Sequence, residues 1–249
     1  MFDISSNRTP LMCSGLLAMA MSLCAAPLSA SAQEQPAIKR EPAISTAAVN
    51  TAFLKDQDDV SAVTQIVLRE RQGRDRGWWD QMLATYWPDS RVDLSWYHGD
   101  GPGFVYGSRA MYERGAQPVH RMFAPVVDLK GNKAHVEVGA LTWSTLEVKG
   151  VTANFETSMR LNYRLEKRNG EWRILAMQPV YEYATVSPAA PGETINISAQ
   201  DLAPYRPSYA LLSWNMAQRG YKLSQDEIGV DRPQELTKFY AAIKQWLNN

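Results

Sequence analysis

The chain has 249 residues, 45% of them hydrophobic, which fits one ordinary globular domain with extensions. Its 26 basic and 26 acidic side chains cancel, so no global field favours nucleic acid, an anionic membrane or a strongly charged substrate. A small, neutral, hydrophobic partner is the expectation that remains.

Residues 1–32 differ from the rest. Arg8 precedes an apolar run from Leu11 to Ala26, and Ala30-Ser31-Ala32 supplies small residues before Gln33. This is the pattern of a cleaved secretory signal peptide, and Ser14, Ser22 and Pro27 interrupt the run too early for a membrane span. The mature protein is therefore expected in the periplasm and free of the membrane. Both cysteines, Cys13 and Cys24, fall inside the signal, which excludes disulfides and thiolate chemistry from the mature chain. Residues 33–55 are rich in Pro, Ala, Ser and charge and read as a linker.

Val60, Val63, Ile66 and Val67 line one face of a helix expected to end near Arg71, with Gly73 and Gly77 as interruptions. A second helix is expected over Trp78 to Trp87, stopped by Pro88. Alternation from Arg91 to Tyr97 predicts a strand, and His98 to Gly103 an irregular loop before a helix capped by Ser108. Gly131-Asn132 and Asn169-Gly170, with a looser turn at Lys149-Gly150, divide the following segment into four antiparallel strands near 120–129, 133–147, 152–167 and 171–185. A Pro- and Ala-rich connector from Val186 to Pro207 leads to two helices, Ser208 to Arg219 and Pro233 to Leu247. Helices first and a meander after them predict an α+β fold: a curved antiparallel sheet laid on the N-terminal helices around an apolar pocket, with extra C-terminal helices. The domain is placed at 56–185 and the helical extension at 186–249.

No GxGxxG, GxxxxGK[ST], HExxH or GxSxG motif occurs, so nucleotide cofactors and hydrolase triads have no support. Three scattered histidines make a poor zinc site, and no cofactor is expected. His120, in "PVHRM", is the strongest proton carrier; an imidazole near neutrality becomes a better base when a carboxylate holds its other nitrogen. The carboxylate is sought in "RDRGWWD", at Asp75. The bland readings are a strand-entry histidine bonded to backbone and an aspartate bonded to local amides.

On the third strand Ser158, Arg160, Asn162 and Arg164 alternate with Met159, Leu161, Tyr163 and Leu165. Turned inward, Arg160 would hold a phenolate or carboxylate by its planar fork; turned outward, it is a solvated arginine. Aromatics cluster from Trp78 to Tyr97, and an aromatic-walled pocket suits a flat ligand. Tyr97, Trp96, Tyr86 and Trp143, with Asn162, are the candidate substrate contacts.

The segment carrying Asp75 and Trp79-Asp80, the strand Val92-Asp93-Leu94, the helix before His120 and the hairpin "RNGEWRI" together resemble the SnoaL-like branch of the nuclear transport factor 2-like superfamily. That resemblance, over about 56–185, implies a cone fold with an Asp-His pair in a deep apolar pocket, as in scytalone dehydratase and the lindane dehydrochlorinase. It assigns the pair to Asp75 and His120, matches Arg160 to a strand arginine, and implies dimerisation through the sheet. Arg74 and Leu94 stand where the dehydratase carries tyrosines. "SWYHGDGPGFVYGS" and "RPSYALLSW" are similar to proteins of aromatic-degrading bacteria, among them formaldehyde lyases acting on lignin-derived diaryl propanediols. The implied function is a cofactor-independent lyase on a hydrophobic aromatic molecule, in lignin breakdown, with Tyr97 or Arg160 steadying a phenol. Its rivals are a dehydratase, isomerase or epoxide hydrolase with the same pair, and a binding protein in which the pair does not touch.

Overall fold

The computed structural model describes residues 59–249; the expected signal peptide and linker lie outside them. The first helix, α1 (Asp59–Arg76), buries Val63, Val67, Glu70 and Arg74 along one stripe. It runs five residues past the expected end at Arg71, because Gly73 causes no break. A Cβ at Gly73 would lie 3.0 Å from the Cβ and backbone nitrogen of Met82, so the glycine lets α2 (Trp79–Ala84) cross closely. Gly77, at φ +69°, then stops α1, and Trp78 N–H donates to the Gly73 carbonyl at 2.9 Å, the bond of a Schellman cap.

The second helix ends at Ala84, short of the expected Trp87. The Thr85 carbonyl accepts from Ile174 N–H at 2.8 Å, and strand β1 (Tyr86–Leu94) starts instead. Pro88 sits in the stretch between Tyr86 and Arg91 where register shifts, so its missing N–H costs no ladder bond. β1 turns at Ser95-Trp96 into the short β2 (Tyr97–Gly99), dividing the single strand expected there. Helix α3 (Gly101–Glu113) begins seven residues before Ser108. Asp100 caps it, accepting from Gly103 N–H at 2.6 Å, with Pro102 in the first turn. Ser108 is buried in mid-helix.

The expected strand 120–129 is also two, β3 (Val119–Met122) and β4 (Val126–Lys130), with Pro125 between them. Both pair with β5 (Lys133–Val148), which carries Gly139 opposite Phe123. Strands β6 (Val151–Arg168) and β7 (Glu171–Pro188) complete the meander. Lys149-Gly150 proves as tight as Asn169-Gly170, both pairs having positive φ at each residue as a type I′ hairpin requires.

The fold is α+β, an open curved seven-stranded sheet in the order β2-β1-β7-β6-β5-β3, with β4 also on β5. The expected all-antiparallel sheet is corrected at one place, since β1 runs parallel to β7. On the helix side, Val63, Val67, Val92, Val136, Leu161, Tyr163 and Ile174 form the core. The C-terminal part holds α4 (Ala199–Leu202), a 3-10 turn at Pro207–Tyr209, α5 (Ala210–Ala217) and α6 (Pro233–Asn248). Residues 228–230 run along β7 at Tyr181, and the buried Arg206 fixes this return by pairing with Asp231 at 2.7 Å. No described helix is long and apolar enough to cross a membrane.

Candidate active site

The sheet, α1, α3 and α5 enclose a cavity of about 580 Å³, within the size range of small-molecule sites. Its apolar wall includes Leu94, Trp96, Phe104, Phe155, Met159 and Leu161. Leu212, Asn215, Met216 and Arg219 of the C-terminal part close one side. The last helix does not reach the cavity: α6 lies on the outer face of the sheet, where Tyr240 donates to Glu137 and Lys133 and Arg164 approach the Trp246 ring.

Because α1 continues to Arg76, its last turns present Arg71, Arg74 and Asp75 to β3. Asp75 grips His120 twice: Oδ2 accepts the backbone N–H at 2.7 Å, and Oδ1 lies 2.6 Å from Nδ1. Both side chains are largely buried, at 8% exposure for His120 and 12% for Asp75. Burial pushes the Asp75 carboxyl up, but the hydrogen bonds and charge of His120 outweigh it and hold the group below the usual carboxylate value. An ionised Asp75 requires the proton on Nδ1, which leaves Nε2 with its lone pair. Burial, with the charges of Arg71 and Arg74, lowers the His120 pKa below 6.5 against the pull of Asp75. The ring is therefore neutral near pH 7, a base whose unprotonated Nε2 stands beside Arg71 at the cavity wall.

Arg71 Nη1 stands 3.4 Å from Nε2, long for a hydrogen bond. Its guanidinium pairs with the fully buried Glu70, which also accepts from Tyr86 at 2.9 Å and Tyr163 at 3.1 Å. Tyr86 therefore braces the network from the core and does not line the cavity, contrary to its expected role. Arg74 and Leu94 both line it.

Arg160 is corrected from a pocket residue to a surface one. The apolar face of β6 turns inward with Met159 and Leu161, leaving Arg160 half exposed between Glu137 and Glu182, at 3.0 Å from each. Asn162 shares that outer face, buried against His135 at 2.9 Å. Tyr97 also misses the cavity; its hydroxyl donates to the Asp100 carbonyl at 2.8 Å, and its ring packs on Trp96 and Phe104. Trp96 and Trp143 do line the cavity. His98 lies 3.1 Å from both Asp93 and Glu227, outside the site. Among the described residues no group of three or more His, Cys, Asp or Glu side chains could hold a metal ion.

The residues that sequence reasoning leaves out are Glu70 and Arg71. Their signal is present: on the stripe Val63, Val67, Glu70, Arg74 a charged residue takes a core position, and Arg71 precedes Asp75 by one helical turn.

Residues 56–178, just under half of the chain, match the SnoaL-like domain family. No curated protein matches the chain. Among solved structures, a cystatin-like-fold protein of unknown function from Nostoc punctiforme is 20% identical, with a TM-score of 0.41 over 53% of this chain and 94% of that one. A hexachlorocyclohexane dehydrochlorinase from Novosphingobium barchaimii is 15% identical, with a TM-score of 0.45 over 55% and 94%. An NTF2-like protein with a cystatin-like fold from Novosphingobium aromaticivorans is 13% identical, with a TM-score of 0.41 over 55% and 88%.

Proposed function

We propose that the protein is a cofactor-independent lyase in which the Asp75-held His120 moves protons for a hydrophobic aromatic substrate bound in the cavity. The observation that carries the proposal is the 2.6 Å contact of Asp75 with His120 Nδ1, which leaves a neutral Nε2 on a cavity wall rich in aromatic and aliphatic side chains. A positioned carboxylate orients the ring and stabilises the imidazolium formed in the transition state. With both side chains largely buried, that stabilisation acts with less screening than in water.

The substrate we favour is a lignin-derived 1,2-diaryl-propane-1,3-diol. Nε2 takes the proton of the terminal hydroxyl, its oxygen forms the carbonyl of formaldehyde, and the bond to the central carbon breaks. That bond's electrons become the double bond of a stilbene as the benzylic C–O bond breaks, and the departing oxygen, protonated, leaves as water. Trp96 and Trp143 flank the aryl groups. Loss of water by the scytalone route has less support, since the tyrosine positions of that enzyme are Arg74 and Leu94 here. Export to the periplasm, proposed from residues 1–32, would place this step where lignin fragments enter the cell.

The test is incubation of the mature protein with β-1 and β-5 type diols, scoring formaldehyde and the stilbene absorbance band. Formaldehyde and stilbene in equal amounts from the parent, and none from His120→Ala, are expected. Turnover to an isomer or a dehydrated product with no formaldehyde would place the pair in a different reaction.

A further inference from the structure

We infer that Arg74 forms an oxyanion subsite in the cavity, taking a carboxylate or phenolate oxygen of the substrate. The inference rests on the proposed function only in taking this cavity as the place where substrate binds.

The three charged groups that α1 sends to the cavity side are in different positions. The charge of Arg71 is met by Glu70, and that of Asp75 is engaged by the N–H groups of His120. Arg74 is 3% exposed, lines the cavity, and has an Nη1 that is buried without a hydrogen-bond partner. A buried guanidinium nitrogen without an acceptor is costly, and an unpaired buried charge more so, unless a ligand supplies the missing oxygen. The only other buried side-chain polar atom left so among the described residues, Ser108 Oγ, does not line the cavity. The unmet demand is therefore specific to the cavity, and its sign is positive.

The chemistry selects the ligand. A guanidinium offers a planar fork that matches a carboxylate and also suits a phenolate oxygen. Burial and the neighbouring charge of Arg71 pull the Arg74 pKa down to about 10 against Asp75 and Glu70, and the group remains a cation at neutral pH. An anion beside it would restore what burial removed. The aromatic wall at Trp96, Phe104 and Phe155 would receive the rest of such a ligand. A neutral chain overall gives no hint of this preference, which comes from one buried guanidinium whose Nη1 meets no acceptor within the fold.

Isothermal titration calorimetry with naphthalene-2-carboxylate, naphthalene-2-carboxamide and 2-naphthol tests the subsite without any turnover. The parent should bind the carboxylate at least roughly tenfold more tightly than the amide, the size of a charge-assisted hydrogen bond. In Arg74→Met the two should bind alike, with amide affinity unchanged; Arg74→Lys should keep part of the preference. His120→Ala should keep it in full. A phenolate in the subsite would appear as a lowered pKa of bound 2-naphthol in its absorbance, which separates that source of the oxyanion from a carboxylate. Equal affinity of the parent for acid and amide with no shift in naphthol, or a preference that survives Arg74→Met, would overturn the inference. Should Arg74→Met fail to fold, the parent's acid-to-amide ratio and the Arg74→Lys protein decide it. An oxyanion preference in a protein that cleaves no diol would refute the lyase and leave the subsite; diol cleavage with no such preference would do the reverse.

Discussion

Replacing Glu70 with glutamine should cost the protein heavily, although the change keeps the side chain's shape. Glu70 has no exposed surface and accepts from three groups, the Arg71 guanidinium, Tyr86 at 2.9 Å and Tyr163 at 3.1 Å. The amide removes the only negative charge paired with the buried Arg71. It also turns an NH2 group toward partners that were all donating. Breaking a buried pair by removing one member costs about 3–5 kcal/mol. At roughly 2–4 °C per kcal/mol for a domain of this size, the thermal midpoint should fall by roughly 6–20 °C. Far-ultraviolet circular dichroism melts of parent and Glu70→Gln measure this. The double variant Glu70→Gln, Arg71→Met should regain more than half of the loss, because the unpaired cation is gone and the amide can meet one tyrosine with its oxygen and the other with its nitrogen. A single variant melting within about 2 °C of the parent would show that the Glu70–Arg71 pair does not carry the brace on which Asp75 and His120 stand.

Three further outcomes are expected. Since burial with Arg71 and Arg74 lowers the His120 pKa below 6.5 and the neutral ring is the base, kcat/KM should rise through a pKa below 6.5 and stay level above it. The stability tied to that ring is complete above pH 6.5 and is lost as pH falls through the folded pKa; an acid limb centred above about 7 would contradict the assignment. Arg160→Ala should leave turnover within about twofold and cost at most ~1 kcal/mol in urea unfolding, because its two ion pairs are half exposed on the outer face. Ile243→Ala, which opens the contact of α6 with the sheet, should cost about 2 kcal/mol in the same assay without changing the affinity of a cavity ligand.

Local chemistry makes much of the fold legible in the sequence. Asn169-Gly170 and Lys149-Gly150 set two hairpins because the glycine of each accepts positive φ without strain, and the alternation along β6 marks its two faces. Which face turns inward is decided by packing: Met159 and Leu161 go to the cavity, so Arg160 goes to the surface. Gly73 and Asp100-Gly101-Pro102 mislead for a shared reason. Glycine and proline suggest a loop, yet one serves a close helix crossing and the other a capped helix start. Asp75 and His120 are found by resemblance, and the structure brings them into contact. Glu70 and Arg71 escape because charges are ordinarily solvated; their own pairing, with Tyr86 from β1 and Tyr163 from β6 far along the chain, makes the buried carboxylate tolerable.

The central claim is that Asp75 fixes His120 as a neutral base with Nε2 unprotonated. Nitrogen-15 NMR of the histidine rings at neutral pH tests it most directly, since the chain has only three histidines and His120→Gln assigns the signal. The account predicts a proton on Nδ1, a bare Nε2, and inversion or loss of that tautomer preference in Asp75→Asn. A proton on Nε2, or a doubly protonated ring at pH 7, would contradict it.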